Sequence, residues 1–78
     1  MKDFKVNLGS IGAVKEFVAL TNSCPFDIDL VSGRYAVDAK SIMGIFSLDL
    51  SKALTLVVHA DDAESAEFLE KAEKFAAK

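Results

Sequence analysis

The chain opens on an alternation of polar and apolar positions. Phe4 and Val6 fall on one side and Asp3, Lys5 and Asn7 on the other, the pattern of a half-buried first strand. From Ile11 the period lengthens: Ile11, Val14, Phe17, Val18 and Thr21 recur three or four apart, which predicts a helix from about Ile11 to about Thr21 with those residues on its buried face. Ser10 is placed to cap its start, because a serine hydroxyl can accept a bond from an early amide that has no partner within the helix. Asn22, Ser23 and Pro25 supply the stop. Alternation returns with Phe26, Ile28 and Leu30, and again with Tyr35 and Val37, so the two runs read as a hairpin. With Ser32 and Gly33 as a two-residue loop, Leu30 is expected opposite Tyr35 and Ile28 opposite Val37.

Ser41 to Leu50 is dense in large apolar residues and predicts a short helix capped by Ser41, followed by a turn. Leu54, Leu56, Val58 and Ala60 alternate with Thr55, Val57 and His59 as a fourth strand. Asp61 and Glu64 form an Asp-x-x-Glu start signal for a last helix, with Ala66, Leu69, Ala72, Phe75 and Ala76 as its buried stripe. On its wet side Glu67 and Glu70 each stand four residues before a lysine, Lys71 and Lys74, at ion-pair spacing. The order is strand, helix, strand, strand, helix, strand, helix. Each strand has one apolar face, so helices should cover one side of a largely antiparallel sheet and leave the other wet, an α+β open-faced sandwich.

Length and charge narrow the function. Seventy-eight residues are enough for one domain around one core, expected to span residues 1–78. A net charge of -3 provides no basic field for nucleic acid or an anionic membrane, and protein partners are favoured instead. Cys24 is the single cysteine and cannot form an internal disulfide, while no apolar run approaches the ~20 residues of a membrane span. The cytoplasm is the expected compartment, and Cys24 reads as a buried or bystander cysteine. One histidine and one cysteine assemble no metal set, and no cofactor is expected.

The element order, together with the run Ala39-Lys40-Ser41-Ile42-Met43-Gly44-Ile45-Phe46-Ser47-Leu48, resembles HPr, the phosphocarrier of the phosphoenolpyruvate-dependent sugar phosphotransferase system. The resemblance covers nearly the whole chain. It implies a four-stranded antiparallel sheet in the order 1-4-2-3 under three helices, and a cytoplasmic bacterial protein that is no independent catalyst. It also implies a regulatory serine at Ser41, and a contact surface for partner proteins made by Ile42, Met43 and Phe46 with Lys40 beside them, the alternative for the three apolar side chains being ordinary core packing. Ile45 and Leu48 are the expected core members of that segment.

Carrying the register back from Phe17 places Ser10 at the position of the family's phosphoryl-accepting histidine, Gly12 at that of an arginine and Ala13 at that of a proline. A phosphoramidate on imidazole is labile enough to be passed on, whereas a serine ester is not, so Ser10 reads as a cap and no catalytic residue is expected. His59, the single histidine, alternates toward the wet face of its strand. The expected function is that of an HPr-like regulatory or adaptor paralogue, similar to those that keep the serine without the histidine. A phosphate on Ser41 would add about -1.5 to -2 charges, favourable at a helix start by on the order of 0.3–1 kcal/mol when exposed. Its partners would be phosphotransferase-system components, a serine kinase or a transcriptional regulator. The alternatives are a phosphocarrier using another nucleophile, and a structural or interaction module that shares only the fold.

Overall fold

The computed structural model describes residues 4–77, so Asp3, expected in the first strand, lies outside the described residues. The chain forms β1 (Phe4–Val6), α1 (Ile11–Asn22), β2 (Asp27–Ser32), β3 (Tyr35–Asp38), α2 (Ile42–Phe46), β4 (Leu54–His59) and α3 (Asp62–Ala72), and a 3-10 turn over Glu73–Phe75 follows α3. The strands make one antiparallel sheet in the order β1-β4-β2-β3. Val6, Ile28, Leu30, Leu54 and Leu56 point to one face and are buried against α1 and α3. The alternation seen in the sequence therefore has its physical cause in the pleat, which sends successive side chains to opposite faces.

The helices begin where the capping residues stand. Ser10 Oγ accepts from Ala13 N at 3.1 Å and Asp61 Oδ1 accepts from Glu64 N at 2.7 Å, each satisfying one amide of the first turn. Asp61→Ala should therefore lower stability by about 1 kcal/mol in urea denaturation. Asp61→Asn, which keeps the acceptor, should lose much less.

Three expectations about packing and one about ion pairing are corrected. The hairpin loop is Gly33-Arg34, with Ser32 opposite Tyr35 and Leu30 opposite Val37, two residues away from the register expected for a Ser32-Gly33 loop. Among the described residues Gly33 alone takes positive φ (59°), which is what a two-residue loop with glycine first requires. A shift of two preserves the faces, so Leu30 still meets an apolar partner. Ile11 was expected in the buried stripe of α1 but is 64% exposed, because it sits on the first turn, beyond the edge of the core that holds Val14, Phe17 and Thr21. On α3 the buried line runs through Ser65, Phe68 and Ala72, one position ahead of the Ala66 and Leu69 line; Ala66 is exposed and Leu69 only half-buried. The pull is aromatic: Phe68 meets Phe17 and Phe26 edge to face, with ring centroids 6.4 and 6.2 Å apart. Of the two ion pairs expected on α3, Lys71 joins Glu67 at 3.1 Å, while Lys74 pairs with Glu16 of α1 instead of Glu70.

The turn between α2 and β4 is held by Asp49, whose Oδ1 accepts from the hydroxyl of Ser51 at 2.6 Å and from its amide at 3.1 Å. These bonds favour the ionised form and hold the Asp49 carboxyl below the usual aspartate range, the hydroxyl bond contributing most. The sign follows from a depressed folded value. The stabilisation is present above the unfolded value of about 3.9 and is lost as pH falls through the folded one. In an NMR titration the Asp49 carboxyl should have the lower midpoint in the native protein, and Ser51→Ala should raise it.

Candidate functional site

Ser41 stands between β3 and α2, where the chain leaves the sheet. Its Oγ accepts from Gly44 N at 3.2 Å, its carbonyl accepts from Ile45 N at 3.1 Å, and its own amide donates to Asp38 O at 3.0 Å. Two side chains from the end of α1 grip the same connection. The Thr21 hydroxyl donates to Ala39 O at 2.8 Å, and Asn22 Nδ2 donates to Lys40 O at 3.0 Å. Nothing in the local pattern pointed to these ties, which join residues 18 positions apart.

Gly44 turns toward β3, where a Cβ on it would lie 3.4 Å from Val37 Cβ. With Ile45 buried in the core, that seating of α2 leaves Met43 77% and Phe46 43% exposed. Ile42 is half-buried and packs against the core, and Leu48 is buried. The Lys40 ammonium donates to Cys24 O at 2.9 Å, which ties its side chain back toward the loop after α1. Cys24 itself is half-buried, with Sγ 3.6 Å from Leu20 O.

At the other helix start, Ser10 is exposed and engaged as the cap of α1. A Cβ added at Gly12 or at Gly9 would meet nothing within 4 Å, so neither glycine is demanded by packing there. His59 lies on the open face of the sheet. Its Nε2 is 2.8 Å from Asp29 Oδ2, with Asp27 and Asp38 lining the same shallow depression, on the side of the sheet opposite the helices. Among the described residues no His, Cys, Asp or Glu group of three or more is arranged to hold an ion. No described helix is long and apolar enough to cross a membrane.

Comparison with known proteins matches this geometry to one family. The family model "PTS HPr component phosphorylation site" matches residues 11–78. A comparison with curated proteins finds no matching sequence. Among solved structures, HPr-C-His from Thermoanaerobacter tengcongensis superposes with a TM-score of 0.74 at 26% identity, covering 95% of this chain and 92% of that one. The phosphocarrier protein HPr from Bacillus anthracis str. Ames gives 0.71 at 29% identity, covering 97% and 94%. The catabolite-repression protein Crh of Bacillus subtilis, a swapped, intertwined dimer, gives 0.63 at 24% identity over 95% and 88%, a likeness of fold. HPr proteins carry phosphoryl groups and are not themselves catalysts. This chain belongs to the HPr family of the phosphotransferase system.

Proposed function

We propose that this chain, as one HPr-like domain over residues 1–78, is a regulatory or adaptor member of its family that works in the cytoplasm and relays no phosphate through histidine. Ser41 is the site of phosphorylation, and Met43, Phe46, Ile42 and Lys40 form the surface that partners read. The observation that carries this reading is the exposure of Met43 and Phe46 on a helix capped by Ser41, with Thr21 and Asn22 holding the carbonyls of Ala39 and Lys40 just before it. Large apolar side chains held in solvent by a fixed backbone are what a docking surface requires.

The chemistry of the α1 start supports the other half. The chain has a single histidine, His59, and its Nε2 is engaged with Asp29 on the open face of the sheet. Ser10, in the place of the family's histidine, offers only an oxygen nucleophile, whose phosphate ester would be too stable to hand on. A phosphate on Ser41 adds about -1.5 to -2 charges beside the Met43 and Phe46 side chains, altering which partner the patch fits without refolding the domain.

Incubation with phosphoenolpyruvate and the general relay kinase should place no acid-labile label on the wild-type chain. Since the space at Gly12 is open, Ser10→His combined with Gly12→Arg should gain such a label without loss of fold. A serine kinase of the system should label Ser41 and leave Ser41→Ala blank, and Ser41→Asp should change the set of partners retained in a pull-down. Acid-labile label on the wild type would overturn the histidine half of the proposal. A kinase that labels an intact HPr but not this chain would overturn the serine half.

A further inference from the structure

We propose that two copies of this chain pair antiparallel along their β3 edges, with the two-fold axis passing between the two Ala36 residues. The sheet has two margins, β1 and β3. The β1 margin is already covered: Asn7 N donates to Phe75 O and Ala77 N to Lys5 O, both at 2.8 Å, with Val6 bridged to Ala76. Among the described residues the chain thus closes one edge with residues 75–77 and leaves the other open.

The ladder between β2 and β3 says which groups are free. Ala39 N donates to Ile28 O at 2.9 Å, and Val37 and Tyr35 stand opposite Leu30 and Ser32 in the same register. Antiparallel bonding alternates along a strand, so Tyr35, Val37 and Ala39 face inward while Ala36 and Asp38 direct their amides outward. Ala36, Asp38 and Arg34 are exposed, and Tyr35 is 72% exposed.

Charge then selects the partner and the register. Charges on an edge strand ordinarily repel a second copy. Here Arg34, the last residue of the hairpin loop, and Asp38, the last residue of β3, each stand two positions from Ala36, so the edge is complementary to itself when turned around. Centred on Ala36, the pairing sets Arg34 against the second copy's Asp38 at both ends and Tyr35 against its Val37. Centring on Tyr35 leaves Asp38 facing Ser32, and centring on Val37 sets Arg34 against Lys40, a like charge. In the favoured register the two Ala36 residues exchange both bonds, and each Asp38 amide reaches the second copy's Arg34 carbonyl. The Asp38 carbonyl is already receiving Ser41 N, so the strand is short and the dimer weak and concentration-dependent. The pairing does not rest on how Ser41 is used.

Sedimentation velocity and dilution NMR on the full chain test it. Self-association should grow with concentration, with shifts centred on residues 34–38. Arg34→Glu or Asp38→Arg alone should raise the dissociation constant roughly five- to tenfold, because both symmetry-related pairs are lost, and the two together should restore it. Ala36→Pro should abolish association with an unchanged monomer spectrum, since the lost amide faces outward. In a Cys24→Ser background, Ala36→Cys should oxidise to a covalent dimer, as hydrogen-bonded antiparallel partners have Cα atoms about 5.5 Å apart. A chain that stays monomeric at NMR concentrations would overturn the proposal, as would a dimer indifferent to Ala36→Pro and to the charge exchange.

Discussion

Phe17→Ala should leave the protein largely unfolded in dilute urea, with a loss of about 3–5 kcal/mol. Phe17 is fully buried on α1 and is the hub of the aromatic cluster. Its ring meets Phe75 edge to face at 5.4 Å and Phe68 at 6.4 Å, so it joins α1 to α3 and to the turn that follows. Truncation removes the transferred apolar area and opens a cavity that the neighbouring rings cannot close without leaving their own rotamers. A domain of this length has roughly 4–12 kcal/mol of stability in all, at about 0.05–0.15 per residue, so the loss takes from about a quarter to the whole of it. Far-UV circular dichroism in urea measures it. Phe17→Leu should retain much of the stability, and a loss below about 1 kcal/mol for Phe17→Ala would show that the core is centred elsewhere. Phe46→Ala is the natural contrast. Its ring is 43% exposed on α2, so its removal should cost far less stability and be felt in partner binding.

What the sequence disclosed, and what it withheld, separates along the range of the interactions. The caps at Ser10, Ser41 and Asp61 are legible because each hydroxyl or carboxylate bonds an amide three residues ahead, a local arrangement that leaves a local signature. The faces of β2 and β4 are legible because the pleat has period two. The hairpin register is not, since Ser32-Gly33 and Gly33-Arg34 both contain the turn-forming glycine and both keep Leu30 on the core face; only the conformation of Gly33 decides. The buried line of α3 is legible only to within one position, because the segment is rich in small residues. Ser65 then goes inside with its hydroxyl donating to Asp61 O at 2.8 Å, so that its polarity costs little. At the candidate site, the large apolar residues of α2 were visible in the chain, but their division between core and solvent depends on how Gly44 seats the helix on Val37. The proximity of the α1 end to the residues before Ser41 had no sequence period to betray it.

That proximity makes Thr21 the most consequential polar residue of the fold. Thr21→Val should destabilise the protein by about 1–3 kcal/mol although it preserves shape and adds apolar area. Thr21 is fully buried and its hydroxyl reaches both Val18 O, at 3.0 Å, and Ala39 O, at 2.8 Å. The first of these carbonyls belongs to a helix and also receives Asn22 Nδ2 at 2.9 Å, whereas the second lies on a fully buried residue at the exit from β3. Removing the hydroxyl takes the bond from that carbonyl and leaves its desolvation uncompensated, which is where the cost arises. Thr21→Ser retains the hydroxyl and should keep the bond, losing only a methyl contact. The functional consequence is local. With the tie to Ala39 O gone and only the bonds at Lys40 remaining, from Asn22 Nδ2 to its carbonyl and from its own amide to Asp38 Oδ1 and its ammonium to Cys24 O, the segment that presents Ser41 becomes less fixed, and amide exchange at Ser41 and Gly44 should accelerate more than exchange in β4. Equal acceleration across the whole sheet would mean that Thr21 acts only on global stability, and that α1 does not position the serine.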